Sequence, residues 1–133
     1  MLLVTEAVPK VLVVDDDPDN LRMVSRFLEA KGFSVVVTSS PFEVTRLLRE
    51  QEPDVVVLDV MMPALDGEAV AKFIRGEWPE ERPQILFYSA IDDERLQLLA
   101  GRVPGSTAVA KTAGLGALYG SIKELIASTS SQQ

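Results

Sequence analysis

The sequence contains no cysteine and no histidine among its 133 residues. The lack of cysteine excludes disulfide bonds, thiolate chemistry and cysteine-based zinc sites, and the lack of histidine removes the usual metal ligand and general base. Any metal ion that this chain binds must therefore be held by oxygen atoms.

Basic residues are scarce relative to acidic ones, with 13 Lys and Arg against 20 Asp and Glu and a formal net charge of −7. Such a chain lacks the excess of positive charge that binding to nucleic acid requires, and an anionic membrane would repel it. No apolar run approaches the length of a membrane span, and residues 1–8 include an acidic residue but no basic one, unlike a signal peptide. We therefore expect a cytoplasmic protein that binds neither nucleic acid nor membrane directly.

Five short apolar runs alternate with five segments of helical periodicity. The predicted strands are 10–14, 33–38, 55–58, 84–88 and 107–110. This alternation predicts an α/β protein with right-handed crossovers: a doubly wound, five-stranded parallel sheet of the flavodoxin-like type, with strand order 2-1-3-4-5 and five helices. Residues 1–8 are expected to form an N-terminal extension, and 128–133 a polar tail or the start of a linker.

Helix start signals precede most of the helical segments. The predicted N-terminal caps are Asp17, Ser40, Asp66 and either Asp92 or Asp93. Asp17 is followed by proline at the first helical position, and Ser40 with Glu43 has the spacing of a capping box. The last helix is predicted over 115–127, and Trp78 is expected to be a partly buried anchor in the loop after the third helix.

Polar residues follow four of the five predicted strands: Asp15 and Asp16, Asp59, Ser89, and Lys111. With strands one and three as neighbours, Asp15, Asp16 and Asp59 share one crevice at the carboxyl edge of the sheet. Carboxylates about 4–6 Å apart repel by a few kcal/mol per pair at an effective dielectric near 20. A cation must offset this repulsion, and oxygen ligands alone favour Mg²⁺ or Mn²⁺.

Lys111 adds a fixed positive charge to this crevice, and Ser89 adds a hydroxyl from the other side. The set suits a carboxylate that accepts a phosphoryl group, with metal and lysine neutralising the phosphoryl oxygens. Each part alone is ordinary, since a run of aspartates before proline is typical of a solvated turn and a single lysine or serine after a strand is common. Their joint occurrence at strand ends indicates a functional site.

Four segments carry a family resemblance: Val13–Pro18, Leu58–Gly67, Ser89-Ala90, and Lys111. With these motifs in register, the sequence over about 9–127 resembles the receiver domain of bacterial two-component response regulators, including chemotaxis regulators.

The resemblance implies a role for each matched residue. It makes Asp59 the phosphoacceptor, Asp15 and Asp16 metal carboxylates, the backbone carbonyl of Met61 a further metal ligand, Ser89 the switch hydroxyl and Lys111 the counter-ion of the phosphoryl group. It also implies a histidine kinase or histidine phosphotransfer protein as donor. An effector domain or partner protein would be contacted through the fourth and fifth helices.

Two positions depart from the family pattern. Ala108 stands where the family usually has an aromatic residue that reports phosphorylation, and Tyr88 and Tyr119 are candidates to replace it. Thr112 stands where proline, often in cis, commonly follows the lysine. A cis bond before threonine costs about 3–4 kcal/mol, so we expect a trans bond and a differently shaped loop.

Three interpretations remain open from the sequence. The first is a phosphorylation-dependent receiver with slow self-hydrolysis, because the apolar Met61 and Ile91 cannot orient an attacking water. The second is a phosphorylation-independent interaction module that retains the receiver fold, which Ala108 and Thr112 favour. The third, a small phosphohydrolase with Asp59 as nucleophile, lacks an acid and base at Met61, so no enzymatic turnover beyond self-catalysed phosphorylation and dephosphorylation is expected.

Overall fold

The computed structural model describes residues 8–62, 66–79 and 82–130. Five strands and five α-helices alternate along this part of the chain. In order they are β1 Lys10–Val14, α1 Pro18–Ala30, β2 Ser34–Thr38, α2 Val44–Gln51, β3 Val55–Leu58, α3 Gly67–Glu77, β4 Gln84–Ser89, α4 Asp93–Ala100, β5 Ser106–Ala110 and α5 Leu115–Ser130. Short 3₁₀ turns precede α2 and α5, at Pro41–Glu43 and Lys111–Ala113.

The strands form one parallel sheet in the order β2-β1-β3-β4-β5, which confirms the predicted flavodoxin-like fold. Val14 at the end of β1 is opposite Leu58 at the end of β3. The Asp59 backbone N–H donates to the Val14 carbonyl at 3.2 Å and so continues this pairing. The chain therefore leaves β1 and β3 side by side, at the same edge of the sheet.

Apolar side chains cover both faces of the sheet. All four residues of β3 are buried, as expected of a strand packed on both sides. One face packs against α2, α3 and α4, and the other against α1 and α5. The apolar stripe of α1 is buried, and that of α5 is buried or partly buried: Leu21, Val24, Leu28, Leu118, Ile122, Leu125 and Ile126.

Side-chain caps begin three of the helices as predicted. Asp17, Asp66 and Asp92 each accept a hydrogen bond from the backbone N–H two residues ahead, at 2.9–3.0 Å. These bonds satisfy backbone donors that the first turn of a helix leaves free. The caps fix where α1, α3 and α4 start, and hence how each chain segment leaves the carboxyl edge of the sheet.

The predicted capping box at Ser40 and Glu43 is wrong. The Thr38 hydroxyl at the end of β2 donates to the Glu43 carboxylate at 3.0 Å and accepts the Ser40 backbone N–H at 3.0 Å. Thr38 therefore takes both ends of one expected bond, and the Glu43 backbone N–H donates to the Ser40 carbonyl at 3.1 Å, so the Ser40 side chain makes no capping bond. A 3₁₀ turn forms instead, and α2 begins at Val44.

Other boundaries differ from the predictions by a few residues. The last helix ends at Ser130 instead of Ala127, so residues 128–130 of the expected tail continue the helix. Trp78 ends α3 and packs partly buried against the core, as predicted. Residues 1–7 and 131–133 of the expected extension and tail lie outside the described residues. In the described part of the chain, no helix has the length and apolar character needed to cross a membrane.

Arg75 ties together the edge of the sheet opposite the carboxyl ends. This buried side chain of α3 donates to the backbone carbonyls of Pro104 at 2.7 Å, Pro83 at 2.8 Å and Trp78 at 2.9 Å. The bonds join the end of α3, the start of β4 and the loop between α4 and β5. No feature of the sequence indicates this role, because a basic residue near a helix end is ordinary.

Candidate functional site

Three carboxylates converge at the carboxyl edge. Asp15 and Asp16 follow β1, Asp59 follows β3, and one oxygen of each lies within 4.8 Å of the other two. Asp15 and Asp59 are buried, with 3% and 7% of their surface exposed, whereas Asp16 is exposed. The structure thus brings together the three residues that the predicted strand order placed in one crevice.

Lys111 follows β5, the edge strand that β4 separates from β3, and its side chain extends to this cluster. Its Nζ donates to Asp15 Oδ2 and to Asp59 Oδ2, both at 3.2 Å. Desolvation lowers the pKa of Lys111, but the charges of Asp59 and then Asp15 outweigh it, so the pKa lies above its ordinary value. The ammonium therefore stays charged at neutral pH and offsets part of the repulsion among the carboxylates.

Further hydrogen bonds orient the two buried carboxylates. Asp59 Oδ1 accepts the Met61 backbone N–H at 3.1 Å, and Asp15 Oδ1 accepts that of Asp17 at 3.0 Å. The side-chain amide of Asn20, in the first turn of α1, donates to Asp15 Oδ2. Sequence reasoning missed Asn20. Its place in the first turn after the aspartates was the only available signal.

The pKa of the Asp16 carboxyl lies above its ordinary value. Desolvation is the first cause, even though the residue is exposed, and the neighbouring charge of Asp15 is the second. A raised pKa means that the ionised form is disfavoured where it stands. A cation placed among these oxygens would relieve that cost.

Gly67 lets the start of α3 lie directly against the chain leaving β3. A Cβ atom at this position would clash with the Asp59 carbonyl oxygen and would stand 2.7 Å from Val60 Cα. The Gly67 backbone N–H instead donates to the Val60 carbonyl at 3.1 Å. The missing side chain therefore helps to fix the position of Asp59. Residues 63–65, between these segments, lie outside the described residues.

Ser89 ends β4 fully buried, and its hydroxyl accepts the Ile91 backbone N–H at 3.5 Å. On β5, Ala108 is buried and its carbonyl accepts a hydrogen bond from the Gln97 amide of α4 at 3.4 Å. The peptide bond between Lys111 and Thr112 is trans, as expected for threonine at 112, and Lys111–Ala113 form a 3₁₀ turn.

A parallel sheet of this order, with acidic oxygens and a lysine gathered at the carboxyl edge, defines an α/β domain suited to a cation and an anionic group. The family model of the response regulator receiver domain matches residues 11–123. The chain belongs to this family, that of the receiver domains of two-component response regulators.

Individual relatives agree with this assignment. The transcriptional regulatory protein PrrA of Mycobacterium tuberculosis is 39% identical over 94 residues, which cover 70% of this chain and 40% of PrrA. The receiver domain of the Francisella response regulator 1452 superposes with a TM-score of 0.80 at 28% identity, covering 91% of this chain and 98% of that one. A receiver domain from Clostridium thermocellum gives 0.83 at 26% identity, covering 95% and 100%.

The chain spans less than half the length of the curated relatives that it matches. What it shares with them is the receiver domain, a phosphoacceptor and not an enzyme of the usual kind. Receiver domains bind Mg²⁺ at an acidic pocket and interact with histidine kinases, and this chain clusters Asp15, Asp16 and Asp59.

Proposed function

We propose that Asp59 accepts a phosphoryl group from the phosphohistidine of a histidine kinase or histidine phosphotransfer protein. The observation that carries the proposal is the Lys111 ammonium, 3.2 Å from both Asp15 and Asp59 at the carboxyl edge of the sheet. A fixed cation there stabilises the negative charge that a phosphoryl group brings. These 133 residues contain no histidine, so the phosphohistidine lies outside them.

The residues of the cluster fit Mg²⁺ or Mn²⁺. The donors are carboxylate oxygens of Asp15, Asp16 and Asp59, and we add the backbone carbonyl of Met61 as a fourth ligand. Nitrogen and sulfur ligands from histidine and cysteine are ruled out by composition. When bound, the ion supplies positive charge to the oxygens of the transferring phosphoryl group.

In the proposed transfer, a carboxylate oxygen of Asp59 forms a bond to phosphorus while the bond from phosphorus to the histidine nitrogen breaks. The nitrogen keeps the electron pair of the broken bond. Lys111 remains protonated, because its raised pKa opposes loss of the proton, and pairs with the phosphoryl oxygens. The Ser89 hydroxyl donates to one of those oxygens and so links the modification to β4.

The acceptor is tested by intact mass after incubation with phosphoramidate and Mg²⁺. Wild type gains one phosphoryl group and Asp59→Asn gains none. Asp54→Asn is a matched control, because Asp54 lies at the opposite edge of the sheet, where it pairs with Arg82 at 3.1 Å. It should be phosphorylated like wild type. An adduct on Asp59→Asn would place the acceptor elsewhere.

Turnover is expected to be limited to slow loss of the phosphoryl group. Met61, with 61% of its surface exposed, and Ile91 offer only apolar side chains, which cannot orient a water for attack on phosphorus. We predict a half-life of minutes or longer in the folded protein, followed by mass spectrometry after removal of the donor. The same adduct in denaturant gives the intrinsic rate of the acyl phosphate. Loss within seconds in the folded state would contradict this prediction.

The output is proposed to be a change in the surface of α4 and α5, read by an effector domain or partner protein. We place the receiver domain at 9–127, which contains the matched residues 11–123, and propose that it acts in the cytoplasm. The buried Ala108, in place of an aromatic residue, favours a second candidate, a phosphorylation-independent interaction module. Absence of any adduct, with no rise in melting temperature on adding Mg²⁺, would make that candidate the better one.

A further inference from the structure

Lys111 can reach the carboxylates only by crossing β4. β5 is separated from β3 by this one strand, and neighbouring strands lie about 4.8 Å apart, so the Lys111 and Asp59 side chains together bridge a strand separation of roughly 10 Å. The last residues of β4 are Tyr88 and Ser89, paired with Val109 and Ala110 of β5. The lysine therefore passes over the end of β4, where these two side chains lie on opposite faces of the strand.

The aromatic ring of Tyr88 lies beneath the ammonium. Lys111 Nζ is 5.9 Å from the ring centroid, within the range in which a cation and an aromatic face attract. Tyr88 is only 5% exposed and packs in the apolar layer with Val109 of β5 and Leu118 of α5. Because this packing limits the movement of the ring, the ring is a fixed support.

The phenol of Tyr88 stays neutral under the conditions in which a receiver acts. Burial raises its pKa, and the nearby Lys111 charge lowers it by less, so the pKa lies above its ordinary value of 10.0. The ring thus meets the ammonium as a neutral quadrupole, an interaction that phenylalanine would preserve.

Neither tyrosine takes the place of the aromatic residue missing at 108. Ala108 faces the layer formed with α2, α3 and α4, whereas Tyr88 faces the layer formed with α1 and α5. Tyr119 packs edge-on against Phe27 and Phe33, with ring centroids 6.4 and 5.9 Å away. The contact between Tyr88 and Lys111 is therefore a separate feature of this chain.

We propose that Tyr88 is a positioning residue, whose buried ring holds the Lys111 ammonium between Asp15 and Asp59. The inference rests on the proposed function, because it assigns Tyr88 a part in the phosphorylation of Asp59 through the lysine. Tyr88 would act through its contact with Lys111 and not on phosphorus itself. Its effect is to keep the long, flexible lysine side chain in one place before the reaction. Less side-chain entropy is then lost when the lysine pairs with the phosphoryl oxygens.

The contact is tested first by NMR on protein labelled with ¹³C-lysine. A Tyr88 ring at this distance gives a nuclear Overhauser effect to the Lys111 ε protons and a ring-current shift of their resonance. Both signatures persist in Tyr88→Phe and disappear in Tyr88→Leu. The control is Tyr119→Leu, which removes an aromatic ring lying 5.2 Å from Lys31 and 5.0 Å from Lys123 but leaves Lys111 alone.

The same four proteins are then compared in their rate of phosphorylation by phosphoramidate with Mg²⁺. Tyr88→Leu is expected to react about threefold to tenfold more slowly, as loss of a partly buried cation–π contact implies, while Tyr88→Phe stays within about twofold of wild type. Tyr119→Leu loses thermal stability but keeps the wild-type rate. Melting temperatures identify any variant that is unfolded under the assay conditions.

Two results would overturn the inference: no Overhauser effect between the Tyr88 ring and Lys111 in the wild type, or a wild-type rate in Tyr88→Leu. If Tyr88→Leu does not fold, the wild-type Overhauser effect decides whether the ring lies against the lysine, and Tyr88→Met replaces Tyr88→Leu in the rate comparison. A wild type that gains no phosphoryl group defeats the proposed function and the phosphorylation role of Tyr88. The NMR comparison then still establishes separately whether Tyr88 positions the lysine.

Discussion

Asp16 is the least neutralised member of the carboxylate cluster. Lys111 binds Asp15 and Asp59, whereas Asp16 faces solvent beside the charge of Asp15. Its raised pKa shows that folding places an ionised group where it is disfavoured. Functional sites commonly carry such a cost, which a bound cation removes.

We predict that Asp16→Asn stabilises the metal-free protein at pH 7. The raised pKa means that the folded state holds the Asp16 proton more tightly than the unfolded state does. Its contribution to stability is therefore present below the ordinary value of 3.8 and lost as the pH rises through the folded value. The difference in unfolding free energy between Asp16→Asn and wild type should therefore grow as the pH rises from 3.8 to the folded-state pKa, and stay constant at higher pH. Urea unfolding in the presence of a chelator measures it.

The control for this prediction is Asp93→Asn, an exposed aspartate of α4 outside the cluster. It should show no comparable gain. Added Mg²⁺ should stabilise wild type more than Asp16→Asn, since the variant has one charged ligand fewer. Equal stabilisation of both proteins by Mg²⁺ would show that Asp16 is not a ligand.

At the scale of residues, strand ends predicted the carboxylates and Lys111 because a parallel sheet brings successive carboxyl ends to one edge. Spacing alone did not predict the partners of those residues. The contact of Asn20 with Asp15 and the ring of Tyr88 below Lys111 depend on where side chains point and on the path the lysine takes. Neither the direction of a side chain nor the path of the lysine follows from sequence periodicity.

Among the elements, α3 has the tightest link to the site. Its first residue, Gly67, lies against the backbone of Asp59 and Val60, while Gly76 near its other end has no atom within 4 Å of a Cβ position. The two glycines of one helix thus differ in what a methyl group would meet. At Gly67 the backbone, which cannot move aside, leaves no room for a methyl group, whereas at Gly76 there is room for one.

We predict opposite effects for alanine at these positions. Gly67→Ala should destabilise the protein by about 3 kcal/mol, because the new methyl group must displace the chain that carries Asp59, and phosphorylation should slow as well. Gly76→Ala should be neutral or stabilising by up to about 1 kcal/mol, because alanine favours helix. Urea unfolding and the phosphorylation assay measure both effects. A Gly67→Ala protein as stable as wild type would refute the assignment of close contact.

The start of α2 shows where pattern reading of elements fails. The Ser40 and Glu43 spacing satisfied the rule for a capping box, yet Thr38 from the preceding strand binds both partners. A local motif cannot reveal a competing hydroxyl that lies at the end of the preceding strand. The caps at Asp17, Asp66 and Asp92 were predictable because a single side chain bonds to its own helix.

On the scale of the whole molecule, Arg75 connects parts of the chain that are far apart in sequence. Its guanidinium holds carbonyls at Trp78, Pro83 and Pro104. The alternation of strands and helices predicted the sheet order, and hence the carboxyl edge, without this residue. The opposite edge was not predictable, since nothing in the sequence distinguishes Arg75 from an exposed helix-ending arginine.

We predict that Arg75→Met destabilises the protein by about 3–5 kcal/mol, because several carbonyls lose a charged donor in a buried setting. Arg102→Met is the control. Arg102 is 60% exposed at its side chain and lies 3.8 Å from Glu68, so its loss should cost less than about 1 kcal/mol. Urea unfolding gives both values. Similar losses for the two variants would mean that the Arg75 bonds contribute little.

The carboxylates follow β1 and β3, whereas their lysine follows β5, the last strand of the sheet. Lys111 bonds to Asp59, 52 residues earlier, and to Asp15, 96 residues earlier. A chain emerging from the ribosome therefore carries its acidic residues without the ammonium that offsets them until Lys111 has been added and β5 has paired. Only after β5 has left the exit tunnel and completed the sheet does the cluster gain its counter-charge, so a chain that stops before β5 lacks the complete arrangement of carboxylates and lysine.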